Sequence, residues 1–433
     1  MKVLNREILL LAVPAIVSNI TTPVLSIVDT AIVGHIGSAV YIGAIAVGGS
    51  MLNLVYWLMN FLRMGSSGLT AQAYGAGHID ECYAVVRRAL VTGAVCALAL
   101  WLLALPLCRA LLFFMDADSH TSALAARYFY IVVSGAPAVM GNYALSGWFL
   151  CMQDSRTPMW MALITNIVNI AVSLTLVVGF GMKIEGVAIG TASAQWAGLV
   201  YGLARLLRRY KSDRPGAVDT LGNNALRRFF AINTDIFLRT ACLVSVTLWF
   251  TRTGARQGVD TLAANALLMQ FFLFFSYFMD GFAFAAEALS GKYRGAANTA
   301  GLRRCIRAIF GWGASLSAVF AVIYLLGGRG AISLLTDRPE VVATAGGYVL
   351  WAAMVPVAGF AAFVWDGIYT GLTLTRRMAL AMAVAAIVFF AASYSLVPVM
   401  GNHGLWAAFL CFLLSRGAMQ TYMFSRLKPY TTD

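Results

Sequence analysis

The residues whose types and spacing suit chemistry lie in the chain's first apolar stretch. Asn19, Thr22, Ser26 and Asp29 follow one another at steps of three and four, which on a helix sets them along one face. A carboxylate at membrane depth costs at least ~2.5 kcal/mol even on the mildest insertion scale. Asp29 is therefore expected to face a protein interior or a wet cavity, where it could take up and release a proton. Pro14 and Pro23 each remove a backbone donor and crowd the preceding turn, so both are bending points. A bendable helix with one inward acid fits a gated, proton-sensitive path. The competing reading is a structural carboxylate tying two helices together.

Further polar groups sit in later apolar runs: Gln72, Asn142, Asn166, Asn169, Ser173, Thr191 and Gln195. Asn166, Asn169 and Ser173 again step by three and four, giving a second polar face that could meet the first. The alternative for these amides and hydroxyls is inter-helix bonding worth about 0.6 kcal/mol each. In the second half the acids are Asp280, Glu287 and Asp366, candidates for gating or coupling, with Asp280 and Glu287 seven apart on one face. Asp235 and Arg239 are spaced for a mutual ion pair. Glu287 and Lys292 read as a solvated or gating salt bridge, or as substrate ligands.

Enzyme chemistry finds no support. There is no Walker lysine in a Gly-rich loop, no H-E-x-x-H, no nucleophile elbow and no metal-spaced cluster, so neither metal nor cofactor is expected. The seven cysteines (82, 96, 108, 151, 242, 305 and 411) lack C-x-x-C pairing and read as small core residues. His35, His78, His120 and His403 are isolated from one another.

These residues must be held by elements suited to lipid. The chain has 433 residues, 60% hydrophobic and 11% charged, with a mean hydropathy of +0.78; soluble domains carry about 25% charged residues. Apolar runs of spanning length, separated by short charged connections, predict an all-α polytopic membrane protein. A net charge of +13 invites a nucleic-acid reading, but the basic residues are dispersed through loops with no basic domain to present them. Twelve helices are predicted, over 8–36, 41–74, 84–107, 122–150, 159–181, 186–209, 229–252, 259–290, 303–327, 340–370, 378–400 and 403–426. Runs such as 41–74 exceed a bilayer at about 1.5 Å per residue and should tilt or project.

With the N-terminus inside, 21 of the 31 Lys and Arg residues fall in cytoplasmic segments and six in the opposite loops, and four (Arg63, Arg127, Arg239 and Arg416) lie within helices. That bias sets both termini in the cytoplasm. Lys2 and Arg6 before an apolar run resemble a secretory signal. Because the run continues to Ile36 and its counterpart recurs as an internal helix, no cleavage is expected.

The longest connection divides the chain into an N-terminal lobe (1–210), a cytoplasmic linker (211–228) and a C-terminal lobe (229–433). A shift of 220 residues aligns 42–47 with 262–267 and 69–76 with 289–296; shifts of 219 and 218 align Pro137 with Pro356 and 186–188 with 404–406. Six helices per copy is an even number, so both copies share one orientation. A pseudo-two-fold along the membrane normal is expected, as in transporters built from parallel repeats.

Pro14 fifteen positions before Asp29, together with segments 28–35, 68–75, 233–240 and 280–283, resembles the multidrug and toxic compound extrusion (MATE) family in its DinF-like branch. The similarity extends over essentially the whole chain. It implies an inner-membrane antiporter, exporting cationic or amphipathic organic compounds against an inward proton flow, with Asp29 as the proton site and Pro14 as the helix bend. Relatives in that branch pair an asparagine on the fifth helix with an aspartate four residues later. Here the pair is Asn169 and Ser173, so the second carboxylate is missing and the load falls on Asp29 or on the C-lobe acids. The glutamate of the sodium-coupled branch has no obvious equivalent.

The expectation is a monomeric proton-coupled exporter of organic cations or amphiphiles among membrane lipids, using Asp29, Asn19, Asn169, Ser173, Thr191 and Gln195, with both termini cytoplasmic. A flippase for lipid-linked precursors, a sodium-coupled antiporter and a non-transporting sensor are the alternatives.

Overall fold

A computed structural model describes residues 2–34, 39–115, 118–210, 223–336 and 338–427; within these, the side chains of residues 22, 24–27, 29–31, 33, 34, 39 and 223–226 lie outside the described set. Among the described residues all regular structure is helical. The first half holds α1 (Lys2–Gly34), α2 (Ala39–Met59), α3 (Phe61–Gly75), α4 (Ile79–Leu102), α5 (Ala104–Met115), α6 (Ser119–Val133), α7 (Ala136–Cys151), α8 (Arg156–Leu174) and α9 (Ile184–Arg209). The second holds α10 (Asn223–Ala255), α11 (Val259–Gly295), α12 (Thr299–Leu335), α13 (Pro339–Gly346), α14 (Val349–Gly371), α15 (Thr375–Met400) and α16 (Asn402–Ser425). Helices are what a lipid solvent permits, since every backbone group must be satisfied within the segment.

The twelve expected spans are all present, some as broken helices. Residues 41–74 become α2 and α3 in sequence, 122–150 become α6 and α7 bent by 53°, and 340–370 become α13 and α14. Pro137 at the start of α7 supplies a reason for the α6–α7 break, because its ring and missing N–H prevent a continuous ladder there. Nine stretches among the described residues are long and apolar enough to cross a membrane, ten with the bent pair. The two outside that set, α9 and α16, have 26 and 24 residues and are the sixth helix of each half. α11 and α12, at 37 residues each, extend to about 55 Å at 1.5 Å per residue, beyond the hydrocarbon. Large apolar side chains such as Leu326 and Leu334 point outward, as a lipid-facing surface requires. Away from the spans, Asp118 caps α6 by accepting the His120 and Thr121 amides at 3.0 Å. Hydrogen bonds from the Thr121 hydroxyl and amide hold its carboxyl below the ordinary aspartate range.

Two compact units result: Val17–Asn233, and Met1–Ile16 together with Thr234–Asp433. Within the second, a Cβ on Gly281 of α11 would overlap Ile16 and crowd the Ala12 carbonyl, and the Trp312 indole donates to Asn5 Oδ1 at 3.4 Å. The opening of α1 is thereby seated on α11 and α12.

Each unit repeats the same packing scheme. In one, α3, α4 and α7 pack on one another and α8 lies along α9; in the other, α11, α12 and α14 do the same and α15 lies along α16. The 220-residue offset recurs in the backbone. Left-handed residues come in pairs at that spacing: Gly77 (φ 77°) with Ala297 (52°), Gln153 (63°) with Thr373 (54°), and Gly181 (67°) with Gly401 (55°). Close approaches repeat too. Gly147 lies against the Arg63 carbonyl and Gly367 against that of Ala283, each a place where only a hydrogen fits between helices.

The α3–α4 and α11–α12 turns thus share one shape, filled by glycine in one copy and alanine in the other. An L-residue in that region costs roughly 1–2 kcal/mol, and no atom lies within 4 Å of a Cβ built on Gly77. Ala297→Gly is expected to stabilise the detergent-purified protein by about 1 kcal/mol and Gly77→Ala to destabilise it similarly, read as opposite shifts of the thermal unfolding midpoint.

Candidate functional site

In the unit Val17–Asn233, α8 and α9 bring the expected amides and hydroxyls together. Asn169 and Ser173, one turn apart on α8, are buried at 1% and 0% exposure. Asn169 Nδ2 donates to Thr191 Oγ1 of α9 at 3.2 Å, and Ser173 Oγ donates to Asn169 Oδ1 at 3.3 Å. Thr191 donates in turn to the Val187 carbonyl at 3.0 Å. The helices meet closely because Gly190 has no side chain: a Cβ there would overlap Ser173 Oγ. One turn of π-helix, Thr175–Gly179, follows directly, a feature frequent at functional sites. Asn166, on the same stripe, is half-buried.

Gln195 belongs to a second pair. Asn142 Nδ2 of α7 donates to the Gln195 carbonyl at 3.0 Å and to its Oε1 at 3.2 Å. Asn142 Oδ1 is buried without a hydrogen-bond partner among the described residues. It is an acceptor available to a guest or a water. Asn19 sits half-buried on α1. Asp29 lies on the same helix, which runs unbroken through Pro14; the side chains of Asp29, Thr22 and Ser26 lie outside the described set.

The second unit holds an ionic arrangement instead. Asp366 of α14 is buried and accepts from Arg239 of α10 and Arg416 of α16 through one carboxylate oxygen. Its other oxygen accepts from Gln420 Nε2 at 2.7 Å. Asp280 of α11 interacts electrostatically with Arg416, whose guanidinium also lies 5.7 Å from the Phe363 ring centre. Two acids and two arginines from four helices thus share one apolar interior. Asp280 and Asp366, expected as separate candidates, join one cluster. Glu287, two turns beyond Asp280 on α11, is buried at 1%.

Two local pairings from the sequence are replaced. Arg239 binds Asp366 rather than Asp235, whose Oδ2 accepts instead from the Thr375 hydroxyl at 2.8 Å. Lys292 stands 3.9 Å from Glu7 rather than pairing with Glu287. In both cases a partner distant in sequence displaces the helical neighbour, because a buried acid gains more from a converging cation than a half-exposed neighbour pair does. Gln420 was not among the expected site residues. Its signal was the i,i+4 spacing from Arg416, which places both on one face of α16. Arg127 makes a 2.6 Å pair with Glu185 at an exposed helix end.

Comparison with known proteins places this geometry. A family model described as MatE matches residues 14–175 and 236–394. DNA damage-inducible protein F of Escherichia coli (strain K12) is 36% identical over 409 residues, covering 94% of this chain and 89% of that protein. The multidrug resistance protein MdtK of Edwardsiella ictaluri is 24% identical over 433 residues, covering 96% and 93%. The structure of the Vibrio cholerae MATE transporter VcmN superposes with a TM-score of 0.89 at 16% identity, covering 99% of both chains. With one family model spanning both halves and a relative this similar over nearly its full length, the chain belongs to the MatE family of membrane transporters, in its DinF-like branch.

Proposed function

We propose that the protein is a proton-coupled exporter of cationic or amphipathic organic compounds, working by alternating access in the cell inner membrane with both termini in the cytoplasm. Asp29 carries the exchanged proton. When ionised it balances a cationic guest; protonation from outside removes that attraction and releases the guest. Coupling follows only if the two protonation states differ in affinity.

The observation that carries this reading is the contrast between the two units. The α8–α9 layer holds amides and hydroxyls without a second carboxylate, Asn169 bonded to Thr191 and Ser173. Such a layer can donate to or accept from a neighbouring acid in either protonation state. Asp366, by contrast, already faces two arginines and Gln420, which suits a clamp between helices. The relatives named multidrug resistance proteins support the cargo class. A flippase for lipid-linked precursors would call for a continuous cationic groove, whereas Arg239 and Arg416 are neutralised by acids. Orientation rests on the Lys and Arg bias. It is supported by the N-terminal residues and the α11–α12 turn lining one cavity, as two segments on the same face would.

Two outcomes are expected. In proteoliposomes, Asp29→Asn abolishes proton movement driven by an organic cation; intact exchange in that variant would refute the role. Asp366→Asn leaves two buried guanidiniums with one formal charge fewer between them. It is expected to lower stability by about 3–5 kcal/mol, seen as a large drop in the thermal midpoint, and purified folded variant should retain proton-coupled exchange.

A further inference from the structure

A cavity of about 570 Å³ opens beside the first turns of α1, between that segment and the start of α12. Val3, Leu4 and Ala308 form apolar wall, and Glu7, Arg304 and Arg307 supply charge. Glu7 is answered by Lys292 at 3.9 Å and lies beside the Tyr293 hydroxyl. Arg304 and Arg307 make no ion pair with any described residue, and Arg304 Nε reaches only the Ala300 carbonyl, at 3.4 Å. Their spacing of three sets both on one face of α12, while Cys305 beside them is fully buried. The duplication shows that the fold does not need this charge. At an offset of 220, Ala84 stands for Arg304 and is buried, while Arg87 stands for Arg307.

Depth and chemistry narrow the occupant. The arginines lie in the second and third turns of a helix that begins at Thr299 and becomes apolar beyond Ile309, which is the level of lipid headgroups. Guanidinium forks match phosphate oxygens, and an apolar wall beside them suits the glycerol and first acyl carbons. We propose that this cavity binds an anionic phospholipid of the leaflet facing the N-terminus, its phosphate held by Arg304 and Arg307 and its glycerol portion against Val3, Leu4 and Ala308. The bound lipid fastens the opening of α1 to α12. The leaflet assignment uses the orientation proposed above; the site itself does not depend on proton coupling.

Binding is measured without transport, so failure of one reading is separable from failure of the other. Full-length protein in detergent is titrated with phosphatidylglycerol and with phosphatidylcholine and read by native mass spectrometry. Wild type should prefer phosphatidylglycerol, and R304Q/R307Q should weaken its binding about tenfold or more. R304K/R307K should keep most of the preference, and Ala308→Trp, which fills the cavity with both charges intact, should lose it. Should R304Q/R307Q fail to fold, the Ala308→Trp arm and the lipid comparison on wild type decide. Equal binding of the two lipids, or no effect of either the charge or the filling variant, overturns the proposal. Displacement of phosphatidylglycerol by millimolar glycerol 3-phosphate would assign the site to a soluble phosphate and overturn it as a lipid site.

Discussion

A charge taken out of water and left alone in hydrocarbon is the state this protein is organised to avoid. The penalty for one buried ion is several kcal/mol even after relaxation, and it is recovered only when partners converge with good geometry. Asp366 meets that condition with Arg239, Arg416 and Gln420, drawn from α10 and α16. Those three helices cannot slide past one another without separating the set. Aromatic packing around it, including Phe363 beneath Arg416 and Trp365 against Phe424, excludes the water that would otherwise weaken the attraction.

The two units solve the same problem differently on one frame. Their helices pair in the same order and turn at residues 220 apart, yet the first joins α7, α8 and α9 through neutral amides and hydroxyls, while the second uses full charges. Neutral hydrogen bonds in a membrane interior are individually weak, about 0.6 kcal/mol, and can rearrange. An ion cluster missing one member is costly. A duplicated fold can therefore hold a rearrangeable polar layer in one copy and a fixed one in the other.

Much of this was readable from residue order. The spans followed from apolar length, and the duplication from matches at a steady offset, which the left-handed turns then met to the residue. Asn169, Ser173 and Thr191 were identified because a 3.6-residue period predicts who shares a face, and two polar faces in one bundle tend to meet. The same period misled at Asp235 and Arg239: it proposes the neighbour one turn away and is blind to Asp366, 127 positions on. Helix breaks such as that between α6 and α7 were missed because hydropathy is continuous across Ser134 and Gly135. Conversely, Pro356 lies inside α14, so proline alone does not mark a break.

The seating of α1 bears on how the chain is made. Its first sixteen residues complete their packing only against Gly281 and Trp312, and the Asn5 contact spans 307 positions. At a synthesis rate of 5–20 residues per second, the first helix to leave the ribosome waits roughly 15–60 s for its neighbours. During that interval Val3, Leu4, Ile8 and Leu11 must be sheltered by lipid or by the insertion machinery. Assembly therefore closes at the beginning of the chain, and a ribosome stalled before α12 would release a first helix with no protein surface to rest on.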